Sequence, residues 1–431
     1  MKASSKVISI VMVAVLVFIM VGCSSDNAND NNTNQGDQNV VLQYYTWTDE
    51  EEYMQKVVDT FNTQNTDIEV KLNTISNNSN EYSTKIMNNL SGGSEMDIYS
   101  INGTASLGLY TSKNQLLDLS DRIKDANLDI GAYGPSYQDI IDVLTDGKYY
   151  ALPYRTSQWA LFYNKGIFDK EGIDYPTSQL TWEEYAKLAK QLTKGEGADK
   201  QWGGYYADWI TAPLGALQSG STILDDSLNN VGDWLTYLDQ IYYQDQSHMS
   251  YKQMKAESID WIKQFEVGNV AMLINGEWTI NMLKSDITAG NTDIEFDMAP
   301  LPLPSGVKDP ITVGGVSTFI GINPASSKLD AAFKFVQFLT GDEGESIIAE
   351  SSVLPAFSSE KTKSSFLNAT GIQGSSYFFE AKTVVENQPI QQIDEVNRVF
   401  SEQRDLYLFQ EQDVNQTMTE FKKQRKTVLD K

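Results

Sequence analysis

Strand, helix and strand follow one another between residues 40 and 72, and this order restricts the fold more than any other feature of the chain. Val40-Val41-Leu42-Gln43-Tyr44-Tyr45 is a strand-like run. Thr48-x-x-Glu51 has the spacing of a capping box, and Met54, Val57, Val58 and Phe61 then recur at i, i+3, i+4 and i+7, which makes one face of a helix apolar. Ile68, Val70 and Leu72 alternate strictly, as a second strand does. Two strands joined by a helix form a right-handed βαβ unit in a parallel sheet, so an α/β fold is expected. The order returns twice. Leu161-Phe162-Tyr163 precedes Thr181-Trp182-Glu183-Glu184, a second capping box whose helix is expected to bury Tyr185, Leu188, Ala189 and Leu192. Phe319-Ile320-Gly321-Ile322 precedes a helix carrying Ala332, Phe335, Val336 and Leu339. Between Ala299 and Pro310, four prolines and Gly306 exclude a helix or a central strand, which leaves a crossing or surface loop.

The amino-terminal segment reads as an export leader. Lys2 and Lys6 precede an apolar run, Val7 to Val21, broken only by Ser9. As a helix the run would reach about 22 Å, short of the about 30 Å hydrocarbon core that a permanent span must cross. Met20-Val21-Gly22-Cys23 resembles the lipobox of bacterial lipoproteins, with Met20 in place of the usual leucine. The resemblance implies a signal peptide over residues 1–22 and lipidation of Cys23. Cys23 is the only cysteine of the chain, so no intramolecular disulfide is possible. Ser24 to Asn39 is rich in Asn and Asp and carries no aliphatic side chain larger than Ala28, a composition that cannot offset the entropy of ordering, so residues 23–39 are expected to form a disordered tether.

The length beyond the leader suits two or three domains. A formal net charge of −25 repels phosphate backbones and argues against nucleic acid as a partner. One histidine and one cysteine remove most metal sites and most Ser-His or Cys-His chemistry, so neither a metal nor a cofactor is expected. His248 follows the polar stretch Gln244-Asp245-Gln246-Ser247 and reads as a solvated loop residue. Carboxylates are plentiful, which keeps a secreted two-carboxylate glycosidase open as an alternative.

Several segments, in order, resemble the family 1 solute-binding proteins of carbohydrate ABC transporters, a maltose-binding-protein-like group. They are Gly147-Lys148-Tyr149-Tyr150-Ala151-Leu152-Pro153-Tyr154, then Phe162-Tyr163-Asn164-Lys165-Gly166-Ile167-Phe168, Thr181 to Glu184, and the block Gly268 to Trp278 with the pattern G-x-x-AM-x-x-x-G-x-W. Leu301-Pro302, Gly314-Gly315 and the helix from Ala332 to Thr340 complete the series, which covers residues 40 to 356 and the tail from Ser358 only loosely. The resemblance implies a periplasmic-binding-protein-like fold: two α/β lobes with mixed, mainly parallel sheets, joined by crossover strands and closing over a ligand. On that pattern one lobe comprises 40–153 and 317–353, the other 154–313 and 357–431. The crossings fall near Tyr154 to Gln158, Val313 to Ser317 and Val353 to Phe357. It further implies an outward-facing protein held at the cell membrane only by its lipid. Such a monomer would deliver a mono- or oligosaccharide to ABC permease subunits without acting on it as an enzyme.

A pyranose offers apolar C–H faces and a rim of hydroxyls, so its receptor needs aromatic rings and planar polar groups together. Trp278 closes the G-x-W block, and Trp47 stands at the carboxyl end of the first strand, where open α/β sheets bind ligands. Both are candidates for stacking, with core packing as the alternative. Glu50 beside Trp47 is a candidate acceptor for sugar hydroxyls or a partner of the helix dipole. Of the aromatic group Trp202, Tyr205, Tyr206 and Trp209, we expect Tyr206 and Trp209 to form a wall. Arg155, Ser157 and Gln158 follow the crossing, with Ser157 where family members often carry a carboxylate. Arg155 leaves an acidic sugar open as ligand, and a peptide or polyamine is the further alternative. Asn102 offers both donor and acceptor at a cleft lip or makes a turn. Gly314 and Gly315 allow close backbone approach or flexing, or mark a β-bulge.

Overall fold

The computed structural model describes residues 39–76, 81–93 and 95–430. The leader over residues 1–22, Cys23 and the tether up to Gln38 lie outside the described residues.

Strand β1 (Val40–Trp47) pairs in parallel with β2 (Ile68–Ile75) along its whole length, from Val40 opposite Ile68 to Trp47 opposite Ile75. The connecting helix Glu51–Gln64 turns Met54, Val57, Val58 and Phe61 inward, as the sequence spacing predicts. Each fully buried aliphatic or aromatic side chain contributes on the order of 2 kcal/mol. The start of this helix differs from expectation. Thr48–Glu50 is a single 3₁₀ turn, and no side chain caps the α-helix that begins at Glu51. The Glu51 carboxylate accepts from the Thr74 hydroxyl (3.3 Å), and Glu50 is drawn into the interior, so the capping box is not made. The second box does form: Glu184 N donates to Thr181 Oγ1 (3.2 Å) and Thr181 N to Glu184 Oε2 (2.9 Å). Its helix, Trp182–Leu192, buries Tyr185, Ala189 and Leu192, with Leu188 half-buried.

The remaining strands are β3 (Ile98–Asn102), β4 (Ala151–Asn164), β5 (Tyr205–Tyr206), β6 (Met272–Gly276), β7 (Phe296–Ala299), β8 (Ile311–Ile322) and β9 (Lys382–Val385). Parallel pairs join β1 to β3, β5 to β6 and β8 to β9. Antiparallel pairs join β3 to β8 and β4 to β6, β7 and β8. The two long strands tie the molecule together. β4 pairs with β8 from Ala151 to Gln158, then with β6 from Trp159 onward. β8 pairs with β9 over Ile311 to Gly314 and with β3 over Thr318 to Ile322. A third passage touches the same place, where Arg155 bridges to Pro355 and Thr156 N donates to Leu354 O (3.1 Å).

Two separate hydrophobic cores lie on either side of this crossing. One gathers Tyr44, Val57, Phe61, Ile98, Leu152, Phe319 and Phe335. The other gathers Leu161, Phe162, Tyr185, Leu235, Leu273 and Phe400, the last in edge contact with Phe421 of the carboxy-terminal helix (5.2 Å). These are the two α/β lobes.

His248 is not a solvated loop residue: it is fully buried in the second core. Tyr185 OH lies 2.8 Å from its Nε2, Ser247 Oγ lies 2.9 Å from its Nδ1, and Gly204 passes so close that a Cβ there would fall 2.2 Å from Nε2. Burial drives the His248 pKa down to about 3. With the folded value depressed, the unfolded chain takes up the proton first as pH falls below about 6.5, at about 1.4 kcal/mol per pH unit. Thermal unfolding at pH 6.5 and 5 is expected to show the native protein losing about 2 kcal/mol more than His248→Gln over that interval. Equal losses would refute the assignment.

Candidate functional site

Successive side chains of a strand point to opposite faces, so Arg155, Ser157 and Trp159 of β4 share one face at the crossing and Thr156 and Gln158 the other. The first face carries the chemistry. Arg155 Nη2 lies 3.1 Å from Glu277 Oε1, and Nη1 lies 3.6 Å from Glu50 Oε1. Glu50 stands between β1 and its helix in the first lobe, and Glu277 follows β6 in the second, so the guanidinium links the two lobes through buried carboxylates. Glu50 Oε2 also accepts from Tyr154 OH (2.6 Å) and Thr46 Oγ1 (2.8 Å). Glu277 Oε2 accepts from Ser157 Oγ (2.9 Å) and Gln158 N (3.1 Å). Burial alone would depress the Arg155 pKa, but Glu277, Tyr53 and Glu50 outweigh it and hold the group charged.

Beside this network stand three tryptophans. The ring of Trp159 meets Trp278 edge-on at 5.6 Å and lies 5.8 Å from Trp209, which in turn lies 6.1 Å from Trp278. Trp159 is buried, Trp278 half-buried and Trp209 41% exposed, so the cluster runs from core to solvent and presents indole surface. Trp159 Nε1 donates to Glu386 Oε2 (2.7 Å). Burial, and then the Glu277 carboxylate, raise the Glu386 pKa against the effect of that N–H.

The structure brings together Arg155, Ser157, Trp209 and Trp278 of the expected set, with Glu50 beneath them. Asn102 is exposed, opposite Thr318 of β8, which on its other side faces Arg155, and its side chain does not cap the helix that follows. Trp47 is buried in the first core, stacked on Tyr82 at 4.6 Å. Tyr206 is buried in the second, its hydroxyl donating to Ala212 O (3.2 Å), because both residues of β5, although at the edge of the sheet, are covered by the surrounding core. The Gln158 side chain points to the opposite face, where its Nε2 donates to Phe378 O (3.2 Å) beside a groove of ≈ 1010 Å³. Gly314 and Gly315 pair with Gln158 and Ser157, and a Cβ on Gly314 would fall 2.0 Å from Ser157 O. The close approach admitted there is that of β4 itself.

Trp159, Glu277 and Glu386 were missing from the expected set. Trp159 was legible two residues beyond Ser157, hence on its face. Glu277 sat inside the G-x-W block. Glu386 follows β9 in the loosely covered tail and carried no signal.

The family profile of bacterial extracellular solute-binding proteins matches residues 46–346, which contain every strand of the crossing except β9. The chain belongs to that family. Among curated relatives of this solute-binding protein, the melibiose/raffinose/stachyose-binding protein of Bacillus subtilis is 22% identical over 361 residues, 80% of each chain. Among solved structures, a sugar transporter from Rhizobium etli in an open conformation superposes with a TM-score of 0.79 at 24% identity, covering 90% of this chain and 99% of that one. An ABC substrate-binding protein from Listeria monocytogenes in complex with cycloalternan superposes with a TM-score of 0.74 at 22% identity, covering 90% and 98%. At these identities the superpositions establish the fold. Among the described residues of this solute-binding protein, no helix is long and apolar enough to cross a membrane.

Proposed function

We propose that this protein captures a sugar or oligosaccharide between its lobes and delivers it, unaltered, to an ABC import permease. The observation that carries the reading is the cluster of Trp159, Trp209 and Trp278 beside the Glu50–Arg155–Glu277 network. Indole faces suit the C–H faces of a pyranose, and the polar rim suits its hydroxyls. Trp209 and Trp278 stack on the guest, while Ser157 and Asn102 hydrogen-bond it. The names of the relatives, a melibiose/raffinose/stachyose-binding protein and a cycloalternan complex, support this ligand class. Closure of the lobes is favoured by whatever extra affinity the closed form has for the guest. No catalytic step is assigned, since both oxygens of Glu277 are engaged by Arg155, Ser157 and Gln158 N and leave no poised acid. The family's extracellular setting and the Met20 to Cys23 segment support a protein tethered at the outer face of the membrane through lipid on Cys23.

A thermal-shift screen with melibiose, raffinose, stachyose and maltotriose, alongside free amino acids and short peptides, tests the reading. A ligand at 100 times its dissociation constant stabilises a one-site protein by about 2.7 kcal/mol. At least one of these sugars is expected to raise the melting temperature, and Trp278→Ala to abolish the rise. A response confined to amino acids or peptides would refute it.

A further inference from the structure

The carboxylates at the crossing differ in what they have left to offer. A carboxylate accepts about four hydrogen bonds. Glu277 has both oxygens engaged, one by Arg155 and the other by Ser157 and Gln158 N. Glu50 is held by Tyr154, Thr46 and Arg155 and is 4% exposed. The Glu386 carboxylate has one hydrogen-bond partner among the described residues, the Trp159 indole on Oε2. Its Oε1 has no hydrogen-bond partner among the described residues, and the residue is half-buried. Backbone pairing fixes its direction: Glu386 N donates to Gly314 O (3.1 Å), Val385 pairs with Gly314 and lines the groove on the Gln158 face, and Glu386, one residue on, turns to the tryptophan face. Arg155, meanwhile, is shared between two carboxylates, so the cation that would recruit an acidic guest is already neutralised.

We propose that Glu386 is the selecting carboxylate of the cleft: its free oxygen accepts a hydroxyl of a neutral sugar, and its charge turns away acidic sugars. The proposal rests on the sugar reading above and narrows it to neutral ligands. Trp159 serves as a positioning residue, since its N–H fixes the Glu386 carboxylate so that Oε1 faces the indole surface.

The test is calorimetric titration of the purified protein, Glu386→Gln, Trp159→Phe and the double variant with raffinose, stachyose, maltotriose and digalacturonic acid, with melting temperatures recorded to confirm folding. The native protein is expected to bind at least one neutral sugar and to bind digalacturonic acid at least tenfold more weakly. Glu386→Gln is expected to lose tenfold or more on the neutral sugar, Trp159→Phe less, and the double variant more than Trp159→Phe alone. Neutral-sugar affinity within twofold of native in folded Glu386→Gln, equal losses in all three variants, or preference of the native protein for digalacturonic acid would each overturn the proposal while leaving the sugar reading standing. Binding of none of the four would overturn both.

Discussion

Replacing Arg155 by methionine is expected to destabilise the protein by about 3 kcal/mol. Among the described residues, the guanidinium is the only cation in contact with two carboxylates whose side chains are 5% and 1% exposed, Glu50 and Glu277. Methionine matches much of its length but leaves both charges in the interior without a counterion. Removing one partner of a buried ion pair costs about 3 to 5 kcal/mol in general, and the 23% exposure of the Arg155 side chain places this case at the lower end. For a folded body of this size the loss corresponds to a fall of about 4 °C in melting temperature. The cause is separable from lost packing. Arg155→Met combined with Glu50→Gln and Glu277→Gln removes the stranded charges and is expected to recover most of the loss, because a buried ionic cluster exchanged as a whole for neutral groups costs little. A single variant as stable as the native protein, or a triple variant worse than the single, would contradict the account.

The second large effect concerns ligand binding and involves a residue with no side chain. A Cβ on Gly276 would fall 2.0 Å from Cζ3 and 2.2 Å from Cη2 of Trp278, well inside contact distance. The strand cannot yield, since Gly276 pairs with Trp159 at the end of β6. The indole must therefore swing away, breaking its edge contact with Trp159 and its contact with Trp209. Gly276→Ala is expected to weaken binding of whichever sugar the thermal-shift screen identifies by at least tenfold, about 1.4 kcal/mol, as Trp278→Ala does. Folding should suffer only about 1 kcal/mol, the scale of an aromatic pair. Calorimetry and thermal unfolding on the same preparation separate the two quantities. Native affinity in Gly276→Ala would show that the position of Trp278 does not matter to binding.

The fold was largely legible because the periodicities of its elements are strong and local. The β1–helix–β2 unit and the box at Thr181 need only residues a few places apart. The failures have one physical origin, contacts made at long range. Thr48 reads as a cap until Glu50 is seen to be pulled inward by Tyr154, 104 positions away. His248 reads as a loop residue until Tyr185 supplies it with a buried partner. Trp47 and Tyr206 carry the residue types of a binding surface, yet neighbours outside their own segments cover them. Trp278 was singled out because it closes a block of fixed pattern and Trp209 because it belongs to a dense aromatic group, and both leave indole surface uncovered. Glu386 was out of reach, since only the parallel pairing of β9 with β8 brings it beside Trp159.

The central claim is that the indole surface on the Arg155 face of the crossing receives the sugar. The most direct measurement is a crystal structure of the protein grown with the sugar that gives the largest thermal shift. A pyranose ring against Trp209 and Trp278, within hydrogen-bond reach of Ser157 or Glu386, is the predicted result. A sugar seated in the groove on the Gln158 face, with the three tryptophans untouched, would contradict the account.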